Sequence, residues 1–331
     1  MLSEGDHVEG YRIERLLDRG NLGPSYLISR DGASFVLRIL EHPDPTFQER
    51  LRRAGRAQQG VDHPHIVPVR EVIETSDGPG LVTEFVRGGD LAAWISRGPH
   101  PLAETVEVFS GLVRGLEGFH AAGILHRNLK PSKVLLTQEG VAKVNDFVFG
   151  RFDVGDEPRL TGALTTFGTP QFMAPEQFHS AAAVDERADL FSAGCILYEM
   201  LTATRAFPGT QLMDIYTAIS SADFVPIEQL REGLPPPLIE LVRALMATDP
   251  GDRPGSAREV LARLEAIAPR LAPTEGRASA RAEEETSDAQ LGACAQPWTR
   301  ERLAVTSCVL FAASMAVAAV CGGVLTYSSL P

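Results

Sequence analysis

The apolar positions change rhythm about a quarter of the way along the chain. Tyr11 to Leu17 alternates loosely and predicts a strand, and Tyr26-Leu27-Ile28-Ser29 predicts a second. Asp31-Gly32 is a two-residue hairpin signal, and Ser34 to Leu40 predicts a third strand. Phe47 to Gly60 is Arg-rich with helical spacing. Val67 to Glu74 and Leu81 to Phe85 predict two more strands around Asp77-Gly78. After Gly88-Gly89, Asp90 reads as the N-cap of a helix, and Ala103 to Ala122 as a long amphipathic helix.

The C-terminal end follows another pattern. Arg270 to Arg302 is rich in Ala, Glu, Arg, Thr and Ser and predicts a flexible linker. Leu303 to Tyr327 carries no charged residue. As a helix it would extend roughly 37 Å, enough to cross a hydrocarbon core of about 30 Å. Trp298, Arg300 and Arg302 stand just before it as interfacial anchors, and the Arg pair predicts a cytoplasmic position for everything upstream. Ala312/Ala316 and Ala319/Gly323 lie four apart, the small-residue spacing of a helix–helix contact, which would allow a homodimer through this span, although any Ala-rich helix produces such spacing.

Charge and cysteines exclude some classes. The net charge is −12 over 331 residues, against a nucleic-acid partner, since phosphate backbones need a basic face. The four cysteines, Cys195, Cys294, Cys308 and Cys321, show no C-x-x-C spacing, so neither a zinc site nor a disulfide framework is expected. Met1 to Gly10 has no apolar run, so no signal peptide is predicted there.

The chemistry concentrates in His126-Arg127-Asn128-Leu129-Lys130-Pro131-Ser132-Lys133-Val134-Leu135-Leu136, followed by Val144-Asn145-Asp146-Phe147-Val148. Further along stand Gly168-Thr169-Pro170-Gln171-Phe172-Met173-Ala174-Pro175-Glu176, Asp185-Glu186-Arg187-Ala188-Asp189 and Asp252-Arg253-Pro254. In this order the runs resemble the protein kinase family, most closely its bacterial, eukaryotic-like Ser/Thr members. The resemblance spans about residues 11 to 266. It implies an α+β, two-lobed kinase-like fold over 1–266, with an N-lobe of about 9–86 and a C-lobe of about 87–266. A juxtamembrane linker at 267–302, a transmembrane helix at 303–327 and a short tail at 328–331 complete the expected organisation.

The resemblance also implies roles. Gly20, Gly23, Val36, Arg38, Glu84, Val86 and Leu135 would surround a nucleotide, with Thr83 as gatekeeper. Asp146 would bind magnesium, and Lys130 would contact the transferring phosphate. Asp189 would hold the catalytic loop, and Glu176 would pair with Arg253. Arg127 would hold a phosphorylated Thr165 or Thr166. Cys195 reads as a small core residue.

Several positions depart from the family pattern. Asn128 stands where a catalytic Asp takes the substrate proton, and Lys133 where an Asn holds the second metal. Val148 replaces the Gly of D-F-G, Asp18 the first Gly of the phosphate loop, and Ser25 the adenine-capping Val. Arg38 replaces the strand Lys, and Ala54 the helix Glu that pairs with it; Glu49 lies more than a turn away. The function expected from this pattern is a membrane-anchored pseudokinase, a signalling scaffold or regulator binding kinases or their substrates. The alternative is a low-activity, atypical Ser/Thr protein kinase. ATP and magnesium would bind weakly, and in a strict pseudokinase not at all.

Overall fold

The computed structural model describes residues 2–20, 23–41, 44–145, 169–179 and 184–271. The strand-forming part builds a six-stranded antiparallel sheet. Its strands are β1 (His7–Val8), β2 (Tyr11–Gly20), β3 (Gly23–Arg30), β4 (Ala33–Ile39), β5 (Val69–Thr75) and β6 (Gly78–Glu84), in the order β1-β2-β3-β4-β6-β5. Alternation puts Tyr11, Ile13, Tyr26, Ile28, Leu37, Ile39, Ile73 and Val82 on one buried face. The β3–β4 hairpin turns on Asp31 (φ 53°) and Gly32 (φ 78°), the paired positive φ that a two-residue hairpin needs.

Between β4 and β5 runs α1 (Pro45–Gln59). It starts two residues before the expected Phe47, for a local reason. Asp44 caps it, accepting the Thr46 N–H at 2.8 Å, and Pro45 suits the first turn, where no N–H is needed. The helix lies close on the sheet. A Cβ added at Gly55 would come within 2.4 Å of Leu81 Cδ2.

The remainder is helical: α2 (Leu91–Ile95), α3 (Leu102–Ala121), α4 (Glu186–Thr202), α5 (Leu212–Ser220), α6 (Ile227–Leu230), α7 (Pro236–Leu245) and α8 (Ala257–Ile267). Asp90 caps α2 as expected, accepting the Ala93 N–H at 2.7 Å. A small hairpin, β7 (Val134–Leu136) and β8 (Ala142–Val144), lies between α3 and α4 in sequence. Helix α4 is buried on every side from Ala188 to Tyr198, which makes it the central post of the C-lobe. At Gly194 a Cβ would come 2.7 Å from Leu245 Cβ, so this glycine lets α7 approach. Cys195, 2% exposed, is one of the core residues on α4, and burial raises its thiol pKa.

Several strand boundaries differ from expectation; β3, for one, begins at Gly23 rather than Tyr26. β6 begins at Gly78 rather than Leu81, because Gly78-Pro79-Gly80 pairs with Thr75-Glu74-Ile73 although none of the three is a strand former. β2 continues past Leu17 to Gly20 through irregular register with β3. Among the described residues no helix is long and apolar enough to cross a membrane. The expected span at 303–327 lies outside the described residues.

Candidate functional site

The loop from His126 to Lys133 is held from beneath by one buried carboxylate. Asp189, 1% exposed in the first turn of α4, accepts the backbone N–H of His126 at 2.8 Å and that of Arg127 at 2.7 Å. It also meets His120 Nε2 at 2.9 Å. Burial pushes its pKa up, but these contacts outweigh burial and hold it below the usual carboxylate value. The clamp keeps Arg127 at φ 61°, a conformation that a residue with a Cβ rarely adopts. Gln177 Nε2 donates to the Arg127 carbonyl at 2.9 Å, tying the loop to the segment after Thr169.

On this rigid loop sits Asn128, half-exposed, its backbone N–H directed at His126 Nδ1 at 3.3 Å. Lys130 Nζ donates to Thr169 Oγ1 at 2.8 Å. Lys133 is half-buried, and its backbone carbonyl accepts the Asn145 N–H at 2.8 Å. Burial, then the positive charges of Arg38 and Lys130, push its pKa down to about 7, with Asp18 opposing. The structure thus brings Arg38, Lys130 and Lys133 into one electrostatic neighbourhood. An ammonium at Lys133 offers no oxygen ligand, so the chain does not fit a second magnesium at this position. Asp146, the expected metal-binding carboxylate, lies outside the described residues, as do Val148, Thr161, Thr165 and Thr166.

The roof of the cleft comes from β3, β4 and β6. Register places Val36 opposite Thr83, Arg38 opposite Leu81 and Ser25 opposite Arg38. Arg38 Nε donates to Ser25 Oγ at 3.3 Å, an interaction that a Val at residue 25 could not make. Burial lowers the Arg38 pKa and Asp18 raises it. Gly20 and Gly23 pair across the β2–β3 turn, and Gly23, at φ 126°, has no room for a Cβ, with Ile39 O at 2.5 Å. The segment linking the lobes begins at Glu84, whose Oε2 accepts from Lys143 Nζ at 2.8 Å. Val86 is buried. Leu135 pairs with Lys143 on the floor hairpin and bridges to Asp90.

A small cleft, open to solvent, is lined by Val36, Arg38, Gln58, Val69, Leu81, Thr83 and Asn145. The α1 face toward it carries no acid. Ala54 is 1% exposed, and Glu49 instead pairs at the surface with Arg53 (3.4 Å) and Arg52 (3.6 Å). Gln58 is the residue that sequence reading missed. One turn beyond Ala54, it shares that helix face, so counting four residues from Ala54 would have found it.

The far anchor is also in place. Arg253, its side chain fully buried, donates to both Glu176 oxygens at 2.7 and 2.9 Å and to the carbonyls of Ala247, Thr248 and Arg187. Its guanidinium also lies 4.9 Å from the Phe191 ring centroid.

A two-lobed molecule with a sheet above, helices below and a clamped loop in the cleft defines a protein-kinase-like domain. Residues 11–263 match the family described as "Protein kinase domain", and the chain belongs to that family, among its bacterial, eukaryotic-like Ser/Thr members. It is 32% identical over 264 residues to the serine/threonine-protein kinase PknB of Mycobacterium leprae, covering 77% of this chain and 42% of the relative. A probable serine/threonine-protein kinase of Streptomyces coelicolor is 33% identical over 267 residues, covering 77% and 39%. The serine/threonine-protein kinase PknH of Mycobacterium bovis is 31% identical over 259 residues, covering 76% and 40%. The chain therefore spans about two fifths of the length of these relatives. All three are named as Ser/Thr protein kinases, which favours the active-kinase alternative over the scaffold reading.

Proposed function

We propose that this chain uses its kinase fold as a signalling module that binds protein partners, either active kinases or their substrates, with phosphoryl transfer lost. The observation that carries the reading is Asn128 on a loop clamped by Asp189. The support for the loop is intact, while the group that would receive the substrate proton is an amide with no basicity at neutral pH. General-base catalysis is typically worth about 10²–10⁴-fold. Arg38, Ala54 and Lys133 alter the same cooperating unit, so the losses do not simply multiply. ATP binding is proposed to be weak and largely independent of magnesium.

The proposal includes tethering by 303–327 in the cell membrane, with the kinase-like domain cytoplasmic, and self-association through the small-residue faces of that span. A membrane-based association assay that does not respond to Gly323→Leu removes the self-association.

A second reading, a Ser/Thr kinase of low activity, is favoured by the names of the relatives and by Lys130, kept and engaged with Thr169. One experiment separates the two. The full chain is incubated with radiolabelled ATP, magnesium and a general protein substrate, beside an Asp146→Ala control. The module reading expects no label above the control; clear transfer overturns it in favour of the kinase reading.

A further inference from the structure

We propose that the segment 63–67 is a joint between the sheet and the floor hairpin, and that a proton on His63 releases it. The segment leads from α1 to β5 and runs along β8 as an added strand. Ile66 bridges Val144 in parallel, the Val144 N–H donates to the His65 carbonyl at 2.8 Å, and the Val67 N–H donates to the Val144 carbonyl at 2.9 Å. The His65 ring closes the same seam, with Nδ1 donating to the Ala142 carbonyl at 2.9 Å. A carbonyl only accepts, so that nitrogen carries a hydrogen. Glycines on α3 make room for the segment. A Cβ at Gly115 would come 2.5 Å from the His65 carbonyl oxygen, at Gly111 3.0 Å from His65 Nδ1, and at Gly118 3.2 Å from His63 Cγ. The two rings therefore have a fixed seat, with centroids 5.8 Å apart.

His63 is the part of the joint that depends on protonation. Its Nδ1 accepts the His65 backbone N–H at 3.2 Å, two residues along, as an Asn or Asp side chain does in an Asx turn. Only an unprotonated Nδ1 accepts, so the neutral ring carries its hydrogen on Nε2, and a second proton sets N–H against N–H. Among the described residues, His65 and Asp62 act on the ring from its own segment and Glu117 from α3, where Arg258 of α8 holds the Glu117 carboxylate at 3.0 Å. Burial first, then His65, lower the His63 pKa from its ordinary 6.5, with Glu117 and Asp62 opposing. The folded chain therefore favours the neutral ring. The contribution of its hydrogen bond is complete above pH 6.5 and is lost as pH falls below it. His63 is half-buried, so a proton reaches it without the core opening, whereas His126 is fully buried. Acid thus acts on this seam locally, without global unfolding.

The test is amide hydrogen exchange of the full chain in detergent, read by mass spectrometry between about pH 7.5 and 5.5, the range in which histidine changes charge, with rates corrected for intrinsic exchange. On acidification the amides of 65–67 and Val144 should lose about 3- to 10-fold more protection than α4 does in the same sample, the scale of one hydrogen bond. His63→Asn supplies a side-chain oxygen to the same N–H and has nothing to titrate, so it should keep the protection at neutral pH and show no loss specific to this segment in acid. His63→Ala lacks the acceptor and should be under-protected at both ends of the range. A wild-type segment that follows α4 throughout overturns the proposal. So does an equal loss in His63→Asn, which would assign it to His65 or His126, or full protection of His63→Ala at neutral pH. The wild-type series alone can overturn the joint, so a variant that does not fold leaves the test standing.

Discussion

Asp189 Oδ2 accepts the backbone N–H of His126 at 2.8 Å, across 63 residues of sequence. With the second bond to Arg127 at 2.7 Å, one buried carboxylate satisfies two adjacent peptide groups. Asp189→Ala leaves both donors and His120 without this acceptor, so a loss of about 3–5 kcal/mol is expected. Asn128→Ala, half-exposed on the same loop, should change stability by about 0.5 kcal/mol or less. Urea denaturation of both variants checks the contrast. Equal effects would mean that the clamp does not govern the loop.

Arg253 is fully buried at its side chain and makes five hydrogen bonds to Glu176, Ala247, Thr248 and Arg187. Arg253→Met strands the Glu176 carboxylate, and a buried charge that loses its partner typically costs about 3–5 kcal/mol. Glu176→Gln should cost less, because the amide oxygen still accepts. Denaturation midpoints in the order wild type, Glu176→Gln, Arg253→Met are the expected result.

His126 has acid sensitivity built in. Its pKa is pushed from 6.5 down to about 4, mainly by burial, with Asp189 opposing. The folded chain therefore holds it neutral where the unfolded chain already takes a proton. Stability contributed by the neutral form is complete above pH 6.5 and lost as pH falls toward 4, about 3 kcal/mol in all. Chemical denaturation between these limits should show that decline, and His126→Gln should flatten it. An unchanged slope in the variant would assign the sensitivity to other groups.

The tail gives a prediction of topology. If 303–327 spans the cell membrane with the domain inside, protease added to intact cells or spheroplasts leaves the domain uncut, and digestion follows only after lysis. Cleavage in intact cells would reverse the orientation inferred from Arg300 and Arg302.

The C-lobe was the most legible part of the chain. The Asp189 and Arg253 contacts join residues 62 to 77 positions apart, yet each falls inside a short pattern that ties residue type to geometry. The N-lobe strands were legible where alternation is clean, as at Tyr11 and Ile13. They were less so at Gly78-Pro79-Gly80, where tertiary pairing overrides local preference. Gln58 was hidden for another reason. An Arg-rich helix shows its buried face weakly, and a polar residue there reads as solvated surface until the sheet is laid against it. The lowered pKa of Lys133 was also out of reach, since it depends on burial and on Arg38 and Lys130 arriving from separate segments.

The grip on the catalytic loop has an evolutionary consequence. Asp189 holds His126 and Arg127 by their peptide N–H groups, which every residue except proline possesses. The neighbouring side chain at residue 128 is therefore invisible to the clamp. Substitutions there can accumulate one at a time, each changing what the loop can do to a proton while leaving its path through space as it was.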